Sequence, residues 1–82
     1  MNVVLINAAG VVERECQDRH LTQKQVALTF ALALHSEDHG EKVEWRRINA
    51  AIRNRWPRGL DRVKKMAWDL YCDAIVRERV SR

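Results

Sequence analysis

The chain has 82 residues, is 46% hydrophobic and 32% charged, and carries a formal net charge of +4. These proportions exclude a disordered chain, and the length provides one domain, residues 1–82, without room for a second. The apolar patch at residues 3–6 is too short for a secretory signal or a membrane span. We therefore expect a protein that does not enter a membrane. The two cysteines, Cys16 and Cys72, do not make a disulfide framework, so we expect the protein to be cytoplasmic.

The N-terminal segment predicts one helix and leaves its first residues open. The helix covers about residues 8–19, with Val12 and Cys16 facing the core. Residues 1–7 are compatible with a short strand, with a helix or with a loose N-terminal arm. A strand has little support, because no other segment alternates in a way that would pair with it.

The second predicted helix, residues 22–36, is apolar on almost every side. Thr22 followed by Gln25 is typical of a capping box at its start. Only Gln25, Thr29 and Ser36 form a polar strip, which indicates a central helix covered by its neighbours. Gly40 is suited to the left-handed position beyond the end of this helix.

The third predicted helix begins at Glu41 and ends at Arg55 or Trp56, because Pro57 disfavours helical geometry in the residue before it. Glu41 and Glu44 then lie in the first turn, where negative charge complements the helix dipole. Four apolar residues spaced by three, four and four share one inward face: Trp45, Ile48, Ile52 and Trp56.

The last predicted helix, about residues 60–79, has two apolar flanks. One is a core stripe of Leu60, Val63, Ala67, Leu70, Tyr71 and Ala74. The other is a candidate interface of Trp68, Cys72, Ile75 and Val76, which needs either a second element of the same chain or a partner chain. The sequence thus predicts an all-α fold, a compact bundle of three to four short helices.

Basic residues are concentrated in the second half of the chain. Residues 41–65 hold nine basic and three acidic residues, a net charge of +6, which exceeds the +4 of the whole chain. A ridge of Lys42, Arg46, Asn49 and Arg53 is spaced by four, three and four, and Arg58, Arg62, Lys64 and Lys65 follow it. Lys and Arg bind phosphates, and Asn can hydrogen-bond an adenine edge. The same charges would also arise if the polar faces of two amphipathic helices were simply solvated.

The stretch "LTQKQVALTF" resembles the opening of the scanning helix in phage-repressor-like helix-turn-helix domains. The resemblance implies DNA binding by the following helix. The sequence departs from that family after ten residues, since "LTFALALH" continues as helix where the family turns. Four acidic residues around the start of the next helix would also repel phosphates: Glu37, Asp38, Glu41 and Glu44.

No other pattern predicts chemistry with comparable support. Two pairs at helical spacing, Cys16 with His20 and His35 with His39, can in principle share a metal ion, but surface or capping roles fit them better. No nucleophile comes with an evident base, and there is no glycine-rich phosphate loop. We therefore expect neither an enzyme nor a bound metal or cofactor.

The segment "EWRRINAAIRNRWPRGLDRVKKMAW" resembles short, uncharacterised helical proteins of phages and prophages. The resemblance implies a small protein that acts by binding. The first hypothesis is an inhibitor or adaptor that binds a host protein with an acidic surface, using the basic residues and the α-helical flank at Trp68. The alternative is direct nucleic-acid binding, and a homodimer is compatible with both.

Overall fold

The computed structural model describes the backbone of residues 7–80 and the side chains of residues 7–78. This part of the chain contains four helices and no strand. They are α1 (Ala8–Gln17), α2 (Gln23–Asp38), α3 (Trp45–Arg55) and α4 (Leu60–Val80). The predicted all-α bundle is confirmed. The prediction for residues 1–7 lies outside the described residues except for Asn7, whose side-chain oxygen accepts a hydrogen bond of 2.9 Å from the Gly10 N–H and caps α1.

α3 runs in the opposite direction to α2 and packs against α1, while α2 packs against α4. At the start of α3, Trp45 Nε1 donates to Glu37 Oε2 near the end of α2, at 2.6 Å. At the far end of α3, the turn before α4 returns to the start of α2, because a Cβ added at Gly59 would lie 2.9 Å from Gln23 Nε2. Both α1 and α3 therefore end on the side of the bundle where α2 and α4 begin.

The core collects residues from all four helices. Its fully buried large side chains are Ile48, Ile52, Val12, Val26 and Val63. The predicted inward face of α3 is confirmed for its two isoleucines, and Trp45 and Trp56 pack half-buried against the same core. The Trp45 ring lies 4.8 Å from that of Phe30, measured between centroids.

The orientation of α2 differs from the prediction. Thr29 and Ser36, which we assigned to the polar strip, are each only 7% exposed. Leu28 and Leu32, which we expected to be covered by neighbouring helices, are 43% and 50% exposed. The buried side of α2 includes small residues such as Ala27, which is fully enclosed. Small side chains allow neighbouring helices to approach closely, and the outer side is left with the two leucines.

The connection between α2 and α3 explains why α3 begins later than predicted. Gly40 adopts a φ of 88°, its N–H donates to Glu37 O at 3.0 Å, and the Glu41 N–H donates to Ser36 O at 2.9 Å. These two bonds are the Schellman motif, which satisfies the last carbonyls of a helix. Residues 41–44 that follow this motif are not helical, so the predicted helix start at Glu41 is wrong, and α3 begins at Trp45.

The second half of α4 extends past the core. Leu60, Val63 and Ala67 are buried, as predicted, but Ala74 is exposed, so the predicted core stripe is wrong at that position. Within residues 7–78, no side chain beyond Ala67 is buried. No helix within residues 7–80 combines the length and apolar character needed to span a lipid bilayer.

Candidate functional site

Charged residues separate to the two ends of the bundle. Residues 37–44, where α2 ends and α3 begins, contain four acidic residues and one lysine, which we call the acidic end. The opposite end holds six basic residues, which we call the basic end: Arg19, Lys24, Arg53, Arg55, Arg58 and Arg62. Only Asp18 and Asp61 lie among them in sequence. Lys42 and the first-turn residues Arg46 and Arg47 offset most of the charge at the acidic end. The antiparallel course of α2 and α3 therefore gives the bundle one clearly positive end and one weakly negative end.

Three arginines of the basic end are free cations. Arg53, Arg58 and Arg62 are exposed. The salt bridges among residues 7–78 join Arg47 to Glu13 and Glu44, and pair two α4 residues with aspartates, but involve none of these three arginines. Their charge is thus available to an anionic partner.

A groove of about 770 Å³ separates the second half of α1 from α3. Its walls at the basic end are formed by Arg19, Asn54 and Arg55, and Cys16 lies at its base. The Nε of Arg55 is buried without a hydrogen-bond partner. A water molecule or an oxyanion in the groove would satisfy this donor.

A second concavity, of about 460 Å³, lies at the turn between α3 and α4, and we call it the Trp56 pocket. Trp56, Pro57 and Gly59 line it together with Gln23 of α2, and Arg58 and Arg62 complete its wall. The guanidinium carbon of Arg55 lies 4.9 Å from the Trp56 ring centroid. This cation–π contact fixes the indole at the boundary between the groove and the pocket.

The predicted ridge on α3 is only partly present. Arg46 and Arg53 are exposed on one side of the helix, about 10 Å apart at 1.5 Å per residue. Lys42 lies in the non-helical connection at the acidic end, because α3 begins after it. Asn49 is half-buried and its side-chain oxygen is enclosed by protein, so it does not belong to the exposed ridge.

The remaining predicted residues lie on α4. Lys65 is exposed and its ammonium lies 3.5 Å from Asp69 Oδ2, while Lys64 is half-buried. On the predicted interface flank, Trp68 and Val76 are 50% and 57% exposed. Cys72 is exposed too, and Ile75 is half-buried. This flank is therefore apolar and accessible, although its role as an interface stays a prediction.

Arg47 links α1 to α3 through ion pairs. Its Nε donates to Glu13 Oε2 at 3.2 Å, and its Nη1 donates to Glu44 Oε2 at 2.6 Å. The hydrogen bond from Arg47 lowers the pKa of the Glu13 carboxyl below its ordinary value, and the two carboxylates raise the pKa of Arg47. The charge of Arg47 is thus neutralised within the bundle.

The cysteine and histidine pairs do not converge. Cys16 is buried, and its burial raises the pKa of the thiol, an effect to which Glu15 adds and which Arg55 opposes. The His35 and His39 rings lie 4.2 Å apart, and His39 Nδ1 is 2.8 Å from the His35 carbonyl oxygen. Among the residues that the structure describes, no group of three or more His, Cys, Asp or Glu can hold a metal ion.

Several residues of the basic end were not predicted as site residues. Gln23, Arg19 and Arg55 join the site only because α1 packs against α3 and the start of α2 lies against the turn between α3 and α4, and Trp56 was assigned to the core alone. Their sequence signal was limited to the "RNRWPRG" turn, in which arginines flank an aromatic residue.

Comparisons of the chain with protein-family models, with curated proteins and with solved structures find no match, so the resemblance to phage proteins stays a prediction.

Proposed function

We propose that the chain is a nucleic-acid-binding protein, not an enzyme, and that its basic end contacts the phosphate backbone. The observation that carries this proposal is the separation of charge: Arg53, Arg58 and Arg62 are exposed and unpaired within residues 7–78, and the acidic residues that would repel phosphates lie at the other end. Arginines bind phosphates through several donors in a fixed geometry.

The test is fluorescence anisotropy with labelled mixed-sequence DNA and RNA at several salt concentrations. If the three arginines each neutralise one phosphate, log K should fall with log salt at a slope of about −2.7 for duplex DNA. Affinity should then drop about fortyfold between 50 and 200 mM salt. Absence of binding at low salt would reject the proposal.

A charge-matched pair of variants locates the surface. Arg53→Glu should weaken binding about tenfold or more, because it replaces a phosphate-binding cation with an anion. Lys42→Glu changes the net charge by the same amount at the acidic end and should leave affinity nearly unchanged. Equal effects of the two variants would mean that overall charge, not the basic end, governs binding.

A second candidate is an inhibitor or adaptor that binds a host protein with an acidic surface. The exposed apolar flank of α4, with Trp68 and Val76, favours it, because protein interfaces bury apolar surface that a nucleic acid would leave open. Such binding, or a homodimer through the same flank, should persist at high salt. Free Cys16 and Cys72 suit either function in the reducing cytoplasm.

A further inference from the structure

The Trp56 pocket combines an aromatic wall with cationic edges. Trp56 is half-buried and lines the concavity together with Pro57, and the guanidinium carbon of Arg55 lies 4.9 Å from the centroid of the Trp56 ring. Exposed Arg58 and Arg62 stand at the same concavity. Aromatic surfaces flanked by arginines are the elements with which proteins stack unpaired bases while holding the adjoining phosphates.

Gly59 keeps this pocket in shape. A Cβ at position 59 would lie 2.6 Å from Trp56 Cβ and 2.9 Å from Gln23 Nε2, both closer than real contacts allow. The absence of a side chain at Gly59 therefore lets the Trp56 wall and the Gln23 amide approach each other. The amide brings a hydrogen-bond donor and an acceptor to the pocket, which suit the edge of a base.

We propose that the Trp56 pocket receives an unpaired base, so that the partner of this protein is a single-stranded nucleic acid. The inference rests on the proposed function and adds the kind of strand that is bound. A base within a duplex is stacked on its neighbours and cannot lie against an indole, whereas a base of a single strand can. Arg58 and Arg62 then contact the phosphates on either side of that base.

The experiment compares a single-stranded oligothymidylate with a duplex of equal length, using fluorescence anisotropy and the full chain. Wild-type protein should bind the single strand more tightly. Trp56→Leu should weaken single-strand binding about tenfold and duplex binding little, because one stacked base is lost. Trp56→Phe should retain most of the affinity, since the ring is kept.

Trp45→Leu is the matched control, because Trp45 is half-buried like Trp56 but lies beside Glu37 at the acidic end, so its loss should not affect affinity. Circular dichroism checks that each variant is folded. If Trp56→Leu does not fold, wild-type protein with an abasic oligonucleotide of the same length replaces it, and about tenfold weaker binding is expected. Equal binding of abasic and normal strands, or equal loss of both strand types in Trp56→Leu, would overturn this inference. Binding to the duplex without binding to the single strand would overturn only the inference about the Trp56 pocket. Absence of binding to both kinds of nucleic acid would also reject the proposed function.

Discussion

The orientation of α2 can be tested by making the same substitution, leucine to alanine, at one buried and at one exposed position. Leu60 is 8% exposed and Leu32 is 50% exposed, although the sequence pattern places both in the core. Leu60→Ala removes buried methyl groups and leaves a cavity, which costs about 2 to 5 kcal/mol. Leu32→Ala loses about half of the transfer free energy of a leucine, roughly 1 kcal/mol, because solvent fills the space left on the outer side of α2.

Urea unfolding followed by circular dichroism measures both variants. With a slope of about 1 kcal/mol per molar urea, typical of small domains, Leu60→Ala should lower the midpoint by about 2 M or more and Leu32→Ala by about 1 M. The slopes of both variants should match that of the wild type. A loss for Leu32→Ala as large as that for Leu60→Ala would refute the orientation of α2.

Two further predictions concern ionisation and thiol access. Because the pKa of Glu13 is lowered in the folded state by Arg47, its contribution to stability is present above the unfolded value near 4.5 and is lost as pH falls through the folded pKa. The free energy of unfolding of the wild type should thus decrease more steeply than that of Glu13→Gln on acidification below about pH 5, and parallel curves would contradict the link between α1 and α3. A chromogenic disulfide reagent should modify the exposed Cys72 thiol at once and the buried Cys16 thiol only on unfolding, because burial blocks access to Cys16 and raises its pKa. Simultaneous modification of both thiols would show that the core is open.

Local signals in the sequence predicted the N-cap of α2 and the glycine beyond its end, although the helix ends at Asp38, two residues later than predicted. Thr22 Oγ1 accepts a hydrogen bond from the Gln25 N–H at 3.4 Å, and Gly40 has the positive φ expected beyond the helix. Each of these signals depends on a few neighbouring residues. The start of α3 was harder to predict, because the charges of Glu41 and Glu44 suit a first helical turn but do not require one, and residues 41–44 are not helical.

Helical periodicity did not orient α2 or end the core stripe of α4. A helix with apolar residues on almost every side has no single preferred face, so its neighbours decide that Leu28 is exposed and Thr29 is buried. The stripe of α4 continues in the sequence to Ala74, but no other helix buries that residue. Which part of an apolar stripe is covered depends on the lengths and packing of the other helices.

The same limit applies to the candidate site. The sequence indicated that positive charge is concentrated between residues 41 and 65, and the structure places three of the predicted cations, Arg53, Arg58 and Arg62, at one end. The sequence did not indicate that Arg19 would join them, because that requires α1 and α3 to end on the same side of the bundle. Nor did it indicate the inward rotation of the Asn49 oxygen.

The separation of opposite charges also affects how the protein approaches a partner. The two ends are about 16 Å apart, the length of the 11 residues of α3. Such a molecule has a permanent electric dipole, and the field of a polyanion exerts a torque on it before the surfaces touch. Encounters would therefore begin with Arg53 and Arg58 leading, and added salt should slow association more than it speeds dissociation. If charges were exchanged between the two ends at constant net charge, the protein would be equally basic, but the end opposite the Trp56 pocket would face the polyanion at first contact.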